Sequence, residues 1–338
     1  MTKLPSVSVV ILNWNGLNYL QQFLPSVFAS TYPNLRIIVG DNASTDSSVE
    51  FIRANYPQIE VITNDNNYGF AGGYNKVLDQ IDSDYFILLN SDVEVQPQWI
   101  QPVIDLMESD AQIATAQPKI LSYKEKDKFE HAGAAGGFLD MFGYPFCRGR
   151  IFDSVESDNG QYDDVKEIFW ASGAALFIKR DKWIEVGGLD ADFFAHMEEI
   201  DLCWRLKNNG YKVIYCPDSV VYHVGGGTLD SENPFKTYLN FRNNLFLIQK
   251  NLSFFHASII IFIRLWLDLV SLLKFLYDGR PKHARAINKA HTAFLKAIFK
   301  TGKKASKIST ARFNGTALVN KSIVWQYFVQ KKKTFNSL

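Results

Sequence analysis

The stretch Val7-Ser-Val-Val-Ile-Leu-Asn-Trp-Asn-Gly16 decides how the chain is read. An uncharged, largely β-branched run stops abruptly at Asn13, Asn15 and Gly16. A short apolar run bounded by turn residues predicts a buried strand, because an amphipathic helix needs a longer stretch of 3.6-residue period. The arrangement recurs downstream. Arg36–Gly40 (RIIVG) stops at Asp41, Glu60–Thr63 stops at Asn64, and Tyr85–Leu89 (YFILL) stops at Asn90-Ser91-Asp92. The intervening segments Tyr19–Ala29, Ser47–Asn55 and Gly72–Gln80 have helical spacing, the second with Asp46 or Ser47 as its cap. This alternation predicts an α/β fold with a mostly parallel central sheet and helices on both faces. Ligands of such sheets bind beyond the carboxyl ends of the strands. Four successive strand ends here carry Asn or Asp: Asn13 and Asn15, Asp41, Asn64 to Asn67, and Asn90 to Asp92.

Farther along, residues 122–165 are irregular and glycine-rich, and read as a long excursion over the site. Strand character returns at Ala174–Ile178. Short helices follow at Trp183–Val186 and Glu199–Asn208, the latter stopped by Gly210, and then a late strand at Lys212–Tyr215. From Pro234 the sequence is helical and increasingly basic. No internal repeat is present.

With 338 residues, 47% of them hydrophobic, the chain can hold one large domain plus an appendage. The net charge of +1 hides an asymmetry. Of the 36 Lys and Arg, 14 lie after Asp278, together with none of the 35 Asp and Glu, so the preceding body has an acidic excess of 13. An acidic body with a basic tail points to an anionic partner for the tail. An anionic membrane leaflet and nucleic acid are the candidates, beside a solvated basic face with no partner. No nucleic-acid motif accompanies the run. Three cysteines without CxxC spacing indicate neither a disulfide framework nor a zinc site, and fit reduced thiols in the cytoplasm. The apolar run at the N-terminus is too short for a secretory signal. Leu252–Leu276 is interrupted by Arg264 and Asp268, leaving less than the ~20 residues of a spanning helix. It reads as an in-plane amphipathic element or helical hairpin, or as a helix buried on the domain.

Four clusters carry chemistry. Asp92, in Leu-Asn-Ser-Asp at a strand end, suits a divalent cation held against a diphosphate, since Mg2+ and Mn2+ prefer hard oxygen ligands. A turn after a strand often contains Ser-Asp for structural reasons alone. Glu198 and Glu199, at the start of a helix, suit a general base, although acidic residues also favour a first helical turn. Asp201, one turn in, reads as structural. His223, before Val224 and a glycine run, suits a metal ligand. The run Asn67-Tyr-Gly-Phe-Ala-Gly-Gly-Tyr-Asn75 lets backbone approach a ligand closely. It is not the GxGxxG fingerprint of nicotinamide dehydrogenases.

These stretches together resemble family 2 glycosyltransferases of the GT-A fold, and more narrowly the rhamnosyltransferase-like branch that builds bacterial cell-surface polysaccharides. The matching segments are VVILNWNG (9–16), VGDNASTDSS (39–48), NNYGFAGGYN (66–75), LLNSDVEV (88–95), the long segment 172–213 and VVYHVGGGT (220–228), within residues 6–245. The resemblance implies a catalytic domain over 1–245 and an amphipathic, basic, helical extension over 246–338. It implies that Asp41 contacts the donor's base with Asn13 in the same pocket. Asn67, Gly72, Gly73 and Asn75 would shape the donor pocket, with Asn90 and Ser91 part of it. Asp92 and His223 would hold Mg2+ or Mn2+, and Glu199, with Glu198 beside it, would be the base. Asn90 stands where the family carries an acid, and Glu199 where it carries Asp. The expected reaction is a single displacement with inversion. It moves a sugar, rhamnose from dTDP-rhamnose being the leading donor, onto a glycan or polyprenyl-diphosphate-linked acceptor at the inner face of the membrane. The alternatives are an inactive nucleotide-sugar-binding relative and a membrane-associated scaffold. Nucleic acid is not among the expected partners.

Overall fold

Along β1 (Val7–Asn13), Val7, Val9 and Ile11 enter one apolar cluster and Val10 enters another. In β2 (Leu35–Asp41) and β4 (Tyr85–Leu89), Val39, Tyr85, Ile87 and Leu89 join the first cluster, while Ile38, Phe86 and Leu88 join the second. Alternation between two dry faces is why these strands read as unbroken apolar runs. Each such side chain contributes about 1.5–3 kcal/mol on burial. The first face is covered by α1 (Leu17–Phe28), α2 (Ser48–Asn55) and α4 (Ile100–Glu108), through Leu20, Leu24, Val27, Ile52, Val103 and Met107. The second is covered by α3 (Gly69–Leu78) and α6 (Glu198–Asn208), through Tyr74, Val77, Ile200 and Leu206. This computed structural model describes residues 4–225, 233–301 and 317–338; Gly226, Gly227 and Thr228 of the His223 motif, and residues 302–316 of the basic tail, lie outside them.

The central sheet runs β11 (Lys166–Glu167), β13 (Lys212–His223), β6 (Ile113–Ser122), β12 (Ala175–Lys179), β4, β1, β2, β3 (Glu60–Thr63), and β5 (Val93–Val95) pairs with β13. The block β4-β1-β2-β3 is parallel, as the alternation predicts. Beyond it the sheet is mixed: β12 enters antiparallel between β4 and β6, whereas β6 and β13 are parallel. After β12 the chain turns through α5 (Arg180–Val186), which ends at Gly187 with φ 78°.

The glycine-rich excursion is not irregular throughout. It forms a second sheet, β10 (Ser154–Val155), β9 (Arg150–Ile151), β8 (Pro145–Cys147), β7 (Gly137–Asp140), and its last strand is β14 (Leu318–Val319) from the C-terminal segment. Asp140 anchors this closure: one carboxylate oxygen accepts the amides of Phe142 and Tyr144, each at 2.8 Å, and the other that of Ile323 at 2.9 Å. The tail is therefore helical through α7 (Pro234–Asn251), α8 (Phe254–Tyr277) and α9 (Pro281–Thr301), and then returns as a strand. The expected boundary at 245 falls inside α7, where Leu245, Phe246, Leu247 and Ile248 share one apolar cluster with Phe294 and Ile323.

Arg264 and Asp268, which interrupt the apolar run, point inward from α8. Arg264 lies over the Tyr144 ring at 3.5 Å and bonds to Asn244, and Asp268 takes His291 at 3.0 Å. The apolar residues point outward: Phe255, Phe262, Trp266, Val270 and Leu273 are all exposed. Among the described residues no helix is long and apolar enough to cross a membrane.

Candidate active site

Parallel register sets Asn13 beside Asp41. The Asn13 amide donates to Asp41 Oδ1 at 3.0 Å, Ser44 Oγ at 3.0 Å and Ser48 Oγ at 2.9 Å, while Asp41 Oδ2 accepts the Ser44 amide at 2.9 Å. This clasp ties the loop after β1 to the loop after β2. Asn13 Oδ1 stays buried and without a hydrogen-bond partner. A Cβ at Gly16 would fall 2.4 Å from that oxygen and 3.7 Å from Ser91 Oγ, so the β1 loop and the Asn90–Asp92 loop meet there.

Asn67 and the glycines belong to a neighbouring network. Asn42 donates to Asn67 Oδ1 and to the Gly69 carbonyl, both at 3.0 Å, and Gly69 N–H donates to Asn67 Oδ1 at 2.9 Å. At Gly73 a Cβ would come within 3.0 Å of Leu12 and Asn42, which lets α3 lie close on the end of the sheet, and at Gly72 within 3.0 Å of Tyr68, at the entry to α3. Asn75 stands apart. Its amide donates to the Leu189 carbonyl at 2.7 Å and accepts the Leu189 N–H at 3.0 Å. It lines a separate cleft of about 530 Å³ with Arg205 and Lys250.

Asp92 and His223 are brought together by sheet register. β13 pairs His223 with Val93, so Asp92 lies alongside and its carbonyl accepts Val224 N–H at 3.1 Å. His223 Nε2 is 3.2 Å from Asp92 Oδ1 and 3.4 Å from Asn90 Nδ2. Its other nitrogen, Nδ1, is 3.3 Å from Glu130 Oε2. Burial disfavours the imidazolium, but Asp92 and Glu130 outweigh it and push the ring up to about 10. Glu130 sits in the glycine-rich excursion, where its N–H reaches the Ile120 carbonyl of β6, and β6 runs beside β13. Sequence reasoning missed it, since its place depends on strand register; its adjacency to His131 in a glycine-rich loop was the only signal.

Glu198 and Glu199 begin α6 after a loop with positive φ at Phe194 (65°), His196 (69°) and Met197 (76°). Non-glycine residues rarely adopt such values, at about 1–3 kcal/mol each, unless their surroundings fix them. Here α7 does the fixing. Asn243, fully buried, donates to the carbonyls of Phe193 (2.9 Å), Ala195 (2.8 Å) and His196 (2.8 Å), and Arg242 adds one to Phe193 at 2.9 Å. The Phe194 carbonyl accepts Phe70 N–H at 2.8 Å, joining this loop to the start of α3. Glu198 Oε2, Glu199 Oε2 and His196 Nε2 are buried without partners. Burial pushes Glu199 up to about 7, and burial together with the Glu199 charge raises Glu198 well above the ordinary range. Asp201 is held differently. Burial favours its neutral form, yet Arg205 at 2.8 Å and Lys250 at 3.0 Å outweigh that and keep it ionised below the usual range, as an anchor for α6. Cys147 is raised to about 11 by burial.

Among the described residues no three His, Cys, Asp or Glu side chains form a ready metal-binding group. Asp92 and His223 nevertheless fit a divalent cation. Two carboxylates already stabilise a positive charge on this ring, and a carboxylate on Nδ1 is the usual partner of a metal-bound histidine. A two-ligand set also leaves coordination positions for phosphate oxygens.

Sheet order and strand-end cluster define the GT-A class of α/β protein. The family model described as Glycosyl transferase family 2 matches residues 8–157, just under half of the chain, and over that stretch the chain is similar to that family. Among its relatives is the N-acetylglucosaminyl-diphospho-decaprenol L-rhamnosyltransferase of Mycobacterium tuberculosis, 24% identical over 233 residues, 64% of this chain and 75% of the relative. The fold is similar to that of S. aureus TarS residues 1–349 in complex with UDP-GlcNAc, with a TM-score of 0.56, 12% identity and 90% of each chain covered. It is also similar to GalNAc-T7 with UDP, GalNAc and Mn2+, with a TM-score of 0.56 and 18% identity over 74% of this chain, which spans about half (48%) of that one.

Proposed function

We propose that the chain is an inverting, metal-dependent glycosyltransferase that moves a sugar from a nucleotide-diphosphate donor to a hydroxyl of a lipid-linked glycan. The observation that carries this is the buried, partnerless carboxylate oxygen of Glu199 at the start of α6, in a chain that also draws His223 to 3.2 Å from Asp92 at a strand end. Asn13 and Asp41 would take the nucleoside end of the donor, Asn67 its ribose side, and Asn90 and Ser91 the approach to the diphosphate. Gly72 and Gly73 would shape the wall behind it, with Asn75 holding the Leu189 loop beyond. Asp92 and His223 would hold the cation, which when bound neutralises charge on the leaving diphosphate. Glu199, its pKa lifted by burial, accepts the acceptor's proton, with Glu198 beside it, its own carboxyl raised by burial and by the Glu199 charge. The relative from Mycobacterium tuberculosis supports rhamnose as the first donor sugar and a prenyl-diphosphate-linked acceptor as the first acceptor to test. The outward apolar stripe of α8 supports docking at the inner face of an anionic membrane.

The test is a thermal-shift screen of nucleotide sugars with and without Mn2+ or Mg2+, since a ligand of the native state stabilises it by RT ln(1 + [L]/Kd). A metal-dependent shift with one nucleotide sugar, followed by turnover, supports the transferase. Binding without turnover on any acceptor favours an inactive donor-binding relative, a reading that Asn90 in the family's acidic position motivates. No shift from the folded protein sinks both.

A further inference from the structure

A second concavity, of about 770 Å³, opens between α7 and α9. One wall is aromatic: Phe235 and Tyr238 stack at 5.9 Å with 17° between their planes. The other is cationic: Lys282, Arg285, Lys289 and Lys296 line it, all exposed. Their spacing of three, four and seven residues puts them on one stripe of α9. After Glu232 the only acidic side chains of the sequence are Asp268 and Asp278. Asp268 is committed to Arg264 and His291, and Asp278 to Lys274. Four cations gathered on one stripe repel one another and attract a compact polyanion. The surrounding Phe235, Tyr238 and α9 alanines add apolar surface, which a free nucleic-acid backbone does not require.

The groove is tied to two neighbouring elements at its Phe235 end. Phe235 meets Phe194 edge to face at 6.4 Å, and Phe194 lies in the loop that delivers Glu198 and Glu199. Beside it His283 shares a 2.8 Å hydrogen bond with Thr237 of α7 and stacks on Phe275 of α8 at 5.1 Å. The base of the groove is thereby joined to the helix whose apolar stripe faces outward.

We propose that this groove is the head-group site of the acceptor: it takes the diphosphate of a prenyl-diphosphate-linked glycan. The lipid leaves along α8, and the sugar reaches past Phe194 toward Glu199. The assignment rests on the transferase reading above. Arg285 supplies forked bonds to phosphate oxygens and the lysines supply point charge.

Titration calorimetry on the full chain tests it, with farnesyl diphosphate, farnesol and inorganic pyrophosphate as probes. The comparison is between the wild type and the double variant Arg285→Ala/Lys289→Ala, both changes being on an exposed helix face that favours Ala. Farnesyl diphosphate is expected to bind the wild type at least tenfold more tightly than either fragment, and the double variant at least tenfold more weakly than the wild type. An undiminished affinity in the variant, or equal binding of farnesol, overturns the assignment. So does full competition by phosphatidylglycerol vesicles, which would make the stripe a general anionic-surface contact. A nucleotide-sugar shift in the wild type together with an unaffected variant sinks this proposal and leaves the transferase standing. Variant-sensitive diphosphate binding without any nucleotide-sugar shift does the reverse.

Discussion

At Glu199 a carboxylate that would ordinarily be ionised well below neutrality is pushed up to about 7 by burial. Only the ionised form can take a proton, so turnover should rise with pH through about 7 and level off above it; a pH–rate profile at saturating donor and metal measures this. Glu199→Gln should lower kcat by about 10²–10⁴-fold, the usual contribution of a positioned base. It should also erase that rise, with the donor-induced thermal shift retained. Glu130 acts one step removed. Glu130→Gln removes the charge beside His223 Nδ1, and Mn2+ affinity should drop about 10–100-fold, read by titrating free Mn2+ with the protein. The two residues differ in how visible they are in sequence. Glu199 announces itself beside Glu198 at a helix start, and Asp92 at a strand end, because local pattern alone places them. Glu130 has no periodic neighbours, and only the pairing of β6 with β13 carries it to His223. Asn75 is the converse case: its place among glycines suggested the donor pocket, but both polar atoms of its side chain serve Leu189.

Among elements, α7 is the one that fixes the loop before α6. Three carbonyls of that loop converge on the single amide nitrogen of Asn243. Asn243→Ala takes this donor from the Ala195 and His196 carbonyls, at about 1–3 kcal/mol each in principle, while the Phe193 carbonyl keeps Arg242. Relaxation of the strained loop recovers much of this, so a loss of about 2 kcal/mol in urea unfolding is expected, with kcat falling more than donor affinity. An unchanged kcat in a destabilised but folded variant would assign Asn243 to packing alone. The same element scale explains a missed strand. Ile113–Ser122 carries Thr115, Gln117 and Lys119 in its interior, each satisfied from far along the chain: Thr115 by the Phe177 carbonyl, Gln117 by Ser172 N–H, Lys119 by Asp158. Local pattern sees polar Thr115, Gln117 and Lys119 at every second position, interrupted by Pro118 and flanked by small Ala114 and Ala116; the partners that let these polar residues be buried are not local.

For the molecule as a whole, the C-terminal segment is part of the body. Phe335 packs on Phe138 at 4.7 Å and Phe146 at 6.2 Å, and its N–H reaches Glu156 at 3.0 Å. Phe335→Ala should cost about 2 kcal/mol, less than a fully buried ring because Phe335 is half-exposed. Removal of 317–338 should lower Tm further and uncover β7. Calorimetric melting of the two variants checks both, and a truncated chain that melts like the whole would return the tail to the role of appendage. The parallel block was legible because its strands are locally apolar, and the basic tail because charge is read by counting. The second sheet was not, since its strands are two to four residues long and one comes from beyond α9. That closure sets an order of events during synthesis. Asp140 is made long before Ile323, its partner 183 residues downstream. Until then the edge of β7 is open and the nascent chain carries an unpaired strand, so the interval between those two residues on the ribosome is when this protein most needs a chaperone.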